Sequence, residues 1–225
     1  MALDSSYRFA IAAVDAVIFA VVNGELVTLL RPVATDTAEY KGFSAFPGGV
    51  MKPNEDAPTA LARHLKEKVG LNDVYTEQLA TFTAVNRDVR SRAVAIAYLG
   101  LVSPRTVETF SYAGATWVPV KSIKKLAYDH NDMLAVAHRR LASKLLYTTI
   151  VRLLLPKQFT LTELQSVYEI VRGEEFDKRN FRKKILALDI IKETGEVQSG
   201  VANRPAALYT FVGQKVTEIP LITGM

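Results

Sequence analysis

The sequence predicts an α/β domain with a mixed sheet, followed by a smaller domain made of two helices and a hairpin. Two observations predict this order. Strand-like segments surround one clear helix in the first half of the chain, and consecutive helical patterns follow Asp132. A chain of 225 residues is long enough for two modest domains. We expect the boundary near Tyr147, which gives domains of residues 1–147 and 148–225.

The composition narrows the class of protein. A hydrophobic fraction of 49% with 23% charged residues is typical of a globular chain that buries a core. The chain has no cysteine, which excludes disulfides, thiolate zinc sites and cysteine nucleophiles. It also has no apolar run of membrane-spanning length, so we expect a cytoplasmic protein without membrane contact. The formal charge of +5 permits contact with nucleic acid but does not establish it.

The strands of the first domain are predicted from runs of branched and aromatic apolar residues. The first two runs flank Asn23 and Gly24, a pair that tolerates the positive φ angles of a tight hairpin turn. The predicted strands are residues 13–22, 26–31, 76–86, 93–102 and 115–119. A helix over residues 132–145 closes the domain, because Leu134, Ala137, Leu141 and Leu145 recur at helical spacing.

Residues 45–71 carry the densest motif of the chain. They read AFPGGVMKPNEDAPTALARHLKEKVGL and resemble the Nudix box, G-x5-E-x7-R-E-U-x-E-E-x-G-U with U aliphatic. Seven positions match in register: Gly49, Glu55, Arg63, Leu65, Glu67, Gly70 and Leu71. The resemblance implies a Nudix-type α/β/α sandwich with a mixed sheet, whose family site lies on a helix over residues 57–69.

Two positions depart from the family pattern in a way that bears on chemistry. His64 and Lys68 stand where the pattern has glutamates, on the helix face that also carries Glu67. Magnesium requires hard oxygen ligands, whereas the Lys68 ammonium repels a cation and can itself satisfy Glu67. We therefore expect no metal site, no catalytic residue and hydrolysis that is lost or very weak, while Glu55 and Arg63 brace the loop. An alternative remains, in which Glu55 and Glu67 bind metal with a carboxylate from another loop, such as Asp88.

The same segment can bind a nucleotide without cleaving it. Gly48 and Gly49 allow backbone amides to approach a phosphate, and Arg31 can make bidentate contacts with phosphate oxygens. Phe46 or Phe43 can stack on an adenine ring, or both can belong to the core. Lys68 can pair with a pyrophosphate in place of the metal. The expected ligand-binding residues are Arg31, Phe46, Gly48, Gly49, Arg63, Glu67 and Lys68.

Helical patterns dominate the second domain. An apolar helix over residues 149–155 is expected to stop at Pro156. Thr160 with Glu163 three residues later predicts a capping box for the next helix, which ends at Gly173. The apolar stripe of this helix consists of Leu161, Leu164, Val167, Tyr168 and Val171.

A basic helix and a hairpin follow. Asp177 is the expected N-cap, with Phe181, Ile185 and Leu188 facing inward. Strands over residues 190–193 and 207–211 flank a polar tip over residues 194–205, which predicts a wing. A basic helix in second place, followed by a hairpin, is typical of a helix that reads the major groove, and an asparagine on it can read adenine. The expected DNA-binding residues are Lys178, Arg179, Asn180, Arg182, Lys183, Lys184 and Arg204.

An impaired Nudix box joined to a winged helix-turn-helix resembles the Nudix-related transcriptional regulators of NAD metabolism. Residues 86–92, NRDVRSR, are also similar to that family and are expected near the ligand or the dimer contact. The resemblance implies a repressor of NAD biosynthesis or salvage genes, with no cofactor, which ADP-ribose or a related nucleotide releases from double-stranded operator DNA. Two basic helices reach successive major grooves only in a homodimer, which we expect to form through the Nudix domains. The alternatives are an active Nudix pyrophosphohydrolase with a DNA-binding appendage, and a sister regulator that senses a sugar.

Overall fold

A tight hairpin opens the described part of the chain. The computed structural model describes residues 10–33, 38–72, 74–198 and 205–224. Strand β1 (Ile11–Val22) and strand β2 (Glu25–Pro32) are neighbours in one sheet. Asn23 and Gly24 both have positive φ, 51° and 76°, as a two-residue type I′ turn requires. The predicted hairpin is therefore confirmed.

The sheet of the first domain is mixed and seven-stranded. The remaining strands are β3 (Ser44–Ala45), β4 (Gly48–Val50), β5 (Tyr75–Phe82), β6 (Ala93–Leu101) and β7 (Thr116–Pro119). The order is β3-β2-β1-β6-β5, while β4 pairs with β1 and β7 with β2. The middle of β1 is wholly buried, which explains why it reads as an unbroken apolar run and not as an alternating pattern.

Helix α1 (Ala57–Val69) has the bounds that the sequence predicts. Asp56 caps it, because its carboxylate accepts a hydrogen bond from the Thr59 N–H, and Gly70 ends it in the left-handed conformation. The apolar face of α1 is buried and includes Leu61, Leu65 and Val69.

Two predictions for the first domain need correction. The strand predicted over residues 76–86 ends at Phe82, since Arg87 N–H donates to the Ala84 carbonyl and the Asp88 carboxylate accepts from Arg90 N–H. These short-range bonds form turns and compete with a sheet ladder. Helix α2 (Pro104–Glu108) was not foreseen, and helix α3 (His130–Lys144) begins two residues earlier than predicted.

The chain divides into two compact units, of which the second contains residues 138–225 together with 19–27 and 101–110. The predicted boundary near Tyr147 stays a prediction. The helix expected over residues 149–155 is present only as a short 3-10 helix, Ile150–Leu154. Leu155 precedes Pro156 and is extended, as proline requires of its predecessor, so an α-helix has no room to form.

The second unit contains the predicted winged helix. Helix α4 (Leu161–Arg172) begins with both bonds of the Thr160–Glu163 capping box and ends at Gly173. Helix α5 (Lys178–Leu186) starts at the N-cap Asp177. Strands β8 (Ile191–Val197) and β9 (Ala207–Phe211) form an antiparallel hairpin. Tyr168, Phe159 and Phe181 are wholly buried and form its core with the apolar stripe of α4.

The end of α5 and the wing differ from their predicted extents. Leu188 lies in a turn beyond α5 and is only half-buried, so its inward place on the helix is wrong. Strand β8 continues four residues further than predicted, because residues 194–197 are mostly exposed and so carry no apolar pattern that would indicate a strand. Arg204, predicted at the tip, lies outside the described residues. Among the described residues, no helix combines the length and the apolar character that crossing a membrane requires.

Candidate functional site

A cavity of about 490 Å³ lies in the first unit, against β1 and β4. This volume suits a nucleotide-sized ligand. Its wall is formed by β1, the ends of β2 and β4, helix α1, the loop over residues 87–91 and the start of α3. Five of the seven predicted ligand-binding residues line it: Arg31, Phe46, Gly48, Gly49 and Lys68. We call this cavity the Nudix-box pocket.

The two glycines allow the pocket wall to pack closely. Gly48 and Gly49 pair with Asp15 and Val14 of β1. A Cβ on Gly48 would meet the backbone of β1, with Asp15 Cα only 2.7 Å away. A Cβ on Gly49 would lie 2.8 Å from Lys68 Nζ and 2.7 Å from His64 Cε1. Both positions therefore require glycine for packing between β1 and α1, a reason that sequence analysis did not give.

Lys68 places an ammonium in the pocket wall. Its Nζ donates a hydrogen bond of 2.6 Å to the Gly48 carbonyl, which fixes the side chain across β4. Burial, and then the nearby positive charge of Arg31, lower the pKa of Lys68 from its usual value of 10.5. A desolvated cation held in this way is ready to accept an anionic partner.

Arg31 lines the same pocket and carries a buried donor without a partner in the described part of the chain. Its Nε is buried and has no hydrogen-bond partner among the described residues. Its backbone pairs with Ala45 of β3, near the end of β2. A buried donor without a partner costs about 1–3 kcal/mol. A bound phosphate oxygen would remove that cost.

A buried cluster of charged residues forms the pocket floor, and sequence analysis missed it. Arg87 donates to both Asp129 oxygens, at 3.0 and 2.8 Å, and its Nη2 lies 3.9 Å from the Asp15 carboxylate. The same Asp15 oxygen lies 3.8 Å from His130 Nε2. Burial raises the pKa of Asp15 to about 7 and lowers the pKa of His130 to about 3. The imidazole is therefore neutral at physiological pH.

His130 also determines the place of Phe46. The Phe46 N–H donates to His130 Nδ1 at 3.0 Å, and the two rings stack with centroids 5.2 Å apart. Phe46 is 3% exposed, so it lines the pocket as part of the core and one of its faces is already covered. Phe43 packs beside Tyr40 and lies under the Lys125 ammonium, and it does not line the pocket. Tyr128, which lines the pocket beside Arg90, is the aromatic side chain that sequence analysis missed.

The remaining Nudix-box residues stabilise the loop between β4 and α1 and do not line the cavity. Arg63 Nε donates to Glu55 at 3.0 Å, and this bond lowers the pKa of Glu55 to about 2, so the predicted brace is present. Neither Arg63 nor Glu67 is among the lining residues. The expectation that Lys68 satisfies Glu67 is wrong, because Glu67 pairs with Arg63 at 3.5 Å and Lys68 bonds to a backbone carbonyl.

These residues do not fit a magnesium ion. His64 is buried, its Nε2 lies 3.0 Å from the Val50 carbonyl, and burial lowers its pKa. Glu67 is largely exposed, and the remaining position of the face is the Lys68 ammonium. Within the described part of the chain, no group of three or more His, Cys, Asp or Glu side chains is arranged to hold a metal. Asp88, the carboxylate of the metal-binding alternative, is bound by Arg90.

The six predicted DNA-binding residues on α5 fall into three sets. Lys178, Arg179 and Lys183 are exposed. Arg182 Nη2 reaches Thr162 of α4 at 3.4 Å. Asn180 donates to the Gly224 carbonyl, and Lys184 donates to the carbonyls of Thr223 and Gly224. The exposed set can meet a phosphate backbone without breaking any bond within the protein.

Comparison with known proteins decides the family. The NUDIX domain model matches residues 12–138, and the NrtR DNA-binding winged helix domain model matches residues 151–211. The chain is 35% identical over 217 residues to the ADPR responsive transcriptional repressor NtrR of Acinetobacter baylyi, covering 93% of this chain and 85% of that protein. This chain belongs to the NrtR family of Nudix-domain transcriptional regulators.

Two solved structures extend the likeness to the NrtR fold. Shewanella oneidensis NrtR bound to a 27-mer DNA is 30% identical with a TM-score of 0.79, covering 89% of this chain and 93% of that one. The NUDIX domain of the same protein bound to ADP-ribose is 27% identical with a TM-score of 0.53, covering 62% of this chain and 94% of that one. The predicted fold, a Nudix-type domain with a mixed sheet followed by a winged helix, is confirmed.

One signal for the missed floor of this NrtR-family pocket was present in the sequence. Asp15 interrupts an otherwise apolar strand, and a charged residue in a buried run calls for a buried partner. Its neighbours Arg87 and His130 are far away in the chain, and no local spacing could have named them.

Proposed function

We propose that this chain is a transcriptional repressor of NAD biosynthesis or salvage genes that works in the cytoplasm. It binds double-stranded operator DNA as a homodimer through the winged helix, and ADP-ribose or a related nucleotide in the Nudix-box pocket releases it. The observation that carries this proposal is the Lys68 ammonium, held by the Gly48 carbonyl inside the pocket where hydrolytic relatives would place a carboxylate.

The charge of the pocket supports a nucleotide diphosphate as effector. Four basic side chains line it, against two acidic ones that already face arginines. In this proposal Lys68 and the unsatisfied Arg31 Nε bind the pyrophosphate, and the Tyr128 ring is available to an adenine. Phe46, Gly48 and Gly49 shape the wall, while Arg63 and Glu67 act only through the loop that they brace.

Hydrolysis is not part of the proposed function. A Nudix hydrolase needs carboxylates that seat a divalent cation and activate water. Here one of the three family positions is a buried histidine, one is a lysine, and the third faces Arg63. The pocket therefore binds its ligand with fixed positive charges, and binding does not require magnesium.

A gel shift tests the proposal most simply. The probe is the DNA upstream of the chain's own gene, with and without ADP-ribose, and AMP serves as the nucleotide control. We expect a shifted band that ADP-ribose removes and that AMP leaves in place. In parallel, ADP-ribose is incubated with the protein and magnesium, and we expect no turnover. Brisk magnesium-dependent cleavage would overturn the proposal in favour of the pyrophosphohydrolase.

A further inference from the structure

Two side chains expected to contact DNA are already bound within the second unit. Asn180 Nδ2 donates to the Gly224 carbonyl at 2.9 Å. The Lys184 ammonium donates to the carbonyls of Thr223 and Gly224. Two donors from α5 therefore converge on one short stretch of backbone. We call residues 213–224, which follow β9, the return segment.

The return segment is fixed by the fold well before it reaches α5. Arg152 donates to the Gly213 and Lys215 carbonyls at 2.9 and 2.7 Å. Thr217 pairs with Thr149 through backbone and hydroxyl. Ile222 is 6% exposed, and its N–H donates to the Leu146 carbonyl at 2.8 Å. Buried apolar contact and backbone bonds thus place Thr223 and Gly224 beside the helix.

The geometry of α5 shows which surface this contact covers. Phe181 and Ile185 face the core, so residues 179 and 183 lie on the opposite, exposed side at 100° per residue. Asn180 and Lys184 are four residues apart and share one flank. The return segment covers that flank and leaves Arg179 and Lys183 open. Two of the three N–H donors of the Lys184 ammonium are engaged by these carbonyls, so a phosphate approaching this flank would compete with the return segment.

We propose that the return segment is a clamp that withholds Asn180 and Lys184 from the operator, so that Arg179 and Lys183 make the central contacts of α5 with DNA. Asn180 and Lys184 are then positioning residues. The clamp lowers the number of phosphate contacts and holds operator affinity below what the helix could reach. This inference rests on the proposed function, because it concerns how the same winged helix meets DNA.

The salt dependence of operator binding tests the clamp, because each phosphate contact adds about 0.9 to the slope of log affinity against log salt. Lys183→Met and Lys184→Met are a matched pair of neighbouring lysines. In the full chain, we expect Lys183→Met to lower the slope by about 0.9 and Lys184→Met to leave it unchanged. A chain that stops after Ile222 should gain about 0.9 in slope and roughly five- to tenfold in affinity at 0.1 M salt. Adding Lys184→Met to the shortened chain should cancel both gains.

A second variant covers the case in which the shortened chain does not fold. Gly224 has a φ of 58°, and a Cβ there would lie 3.3 Å from Lys184 Nζ. Gly224→Val should therefore loosen the clamp and raise the slope in the same direction. Unchanged thermal unfolding and ADP-ribose affinity confirm that each variant is folded.

Three results would overturn the clamp. The first is a lower salt slope for Lys184→Met in the full chain. The second is a salt slope that does not rise in either the chain that stops after Ile222 or Gly224→Val. The third is a rise in slope in the shortened chain that remains when Lys184→Met is added. If the wild type binds operator and the variants give any of these results, the clamp alone fails. If the wild type binds no operator at all, the proposed function fails with it.

Discussion

The two cationic sites of this molecule differ in how their charges are held. In the Nudix-box pocket, Arg87 is 4% exposed and bonded to Asp129, and Lys68 is fixed to the Gly48 carbonyl. On α5, Arg179 and Lys183 are exposed. Arg87 and Lys68 are therefore shielded from water and have fixed partners. Arg179 and Lys183 are solvated in the absence of DNA.

This difference separates two kinds of recognition. Desolvated charges in fixed positions interact strongly over short distances and are little affected by salt, which suits a small ligand of defined shape. Exposed charges on a helix are screened by salt and gain affinity by releasing counterions from DNA. Substitutions in the pocket should therefore change protein stability and ligand affinity, while substitutions of the exposed residues Arg179 and Lys183 should change DNA affinity alone.

Arg87→Met should have the largest effect. It leaves Asp129 and Asp15 buried without their cation, and breaking a buried pair costs about 3–5 kcal/mol of unfolding free energy. Urea unfolding followed by circular dichroism measures this loss. Arg90→Met is the control, because Arg90 is about half exposed and its pair with Asp88 should contribute less than about 1 kcal/mol. Equal losses of unfolding free energy for the two variants would show that the buried pairs of Arg87 stabilise the protein no more than the half-exposed pair of Arg90.

Asp15→Asn should alter the pH dependence of stability. Burial raises the pKa of Asp15 from 3.8 to about 7, so the folded protein retains a proton that the unfolded chain releases. The stabilisation is present in full below about pH 4 and is lost as pH rises through 7, by up to about 4 kcal/mol. The unfolding free energy of the wild type relative to Asp15→Asn should fall across this range. Asp132→Asn, at an exposed position, is the control. A difference that does not vary between pH 4 and 7 would contradict the assignment.

Lys68→Met should weaken ADP-ribose binding about ten- to hundredfold, since a hydrogen bond to a charged group contributes about 1.5–3 kcal/mol. Calorimetry with and without magnesium measures the change, and the metal should make no difference. Lys66→Met is the matched control on the same helix, because Lys66 is exposed and does not line the pocket. If both variants bind like the wild type, Lys68 does not hold the effector.

Arg179→Ala should weaken operator binding by roughly ten- to hundredfold and relax the preference for the base at one operator position. ADP-ribose affinity should stay unchanged. Binding to operators mutated one base pair at a time locates that position. Lys157→Ala, an exposed lysine of the same unit outside α5, should weaken binding only slightly if at all. Comparable losses for both variants would show that general charge, and not α5, drives operator affinity.

The sequence allowed prediction of those features that short-range chemistry determines. The turn at Asn23 and Gly24, the bounds of α1 and the capping box of α4 follow from residues a few positions apart. The lysine and histidine in the Nudix box were also visible, because the motif has fixed spacing.

Long-range contacts could not be predicted in this way. Arg87 reaches Asp129 across 42 residues, and Phe46 reaches His130 across 84. Only the folded sheet and α3 bring these residues together, and no periodic pattern encodes such pairs. The contact of Gly224 with Asn180 is of the same kind, which is why two residues of α5 were predicted to be open and are covered.

Thermodynamic linkage between the two sites tests the central claim most directly. ADP-ribose affinity is measured by calorimetry with and without saturating operator, and operator affinity with and without saturating ADP-ribose. Because coupling is reciprocal, both affinities should fall by the same factor, about 5- to 150-fold for a typical coupling. If each ligand binds with the same affinity whether or not the other is present, the pocket does not control the winged helix.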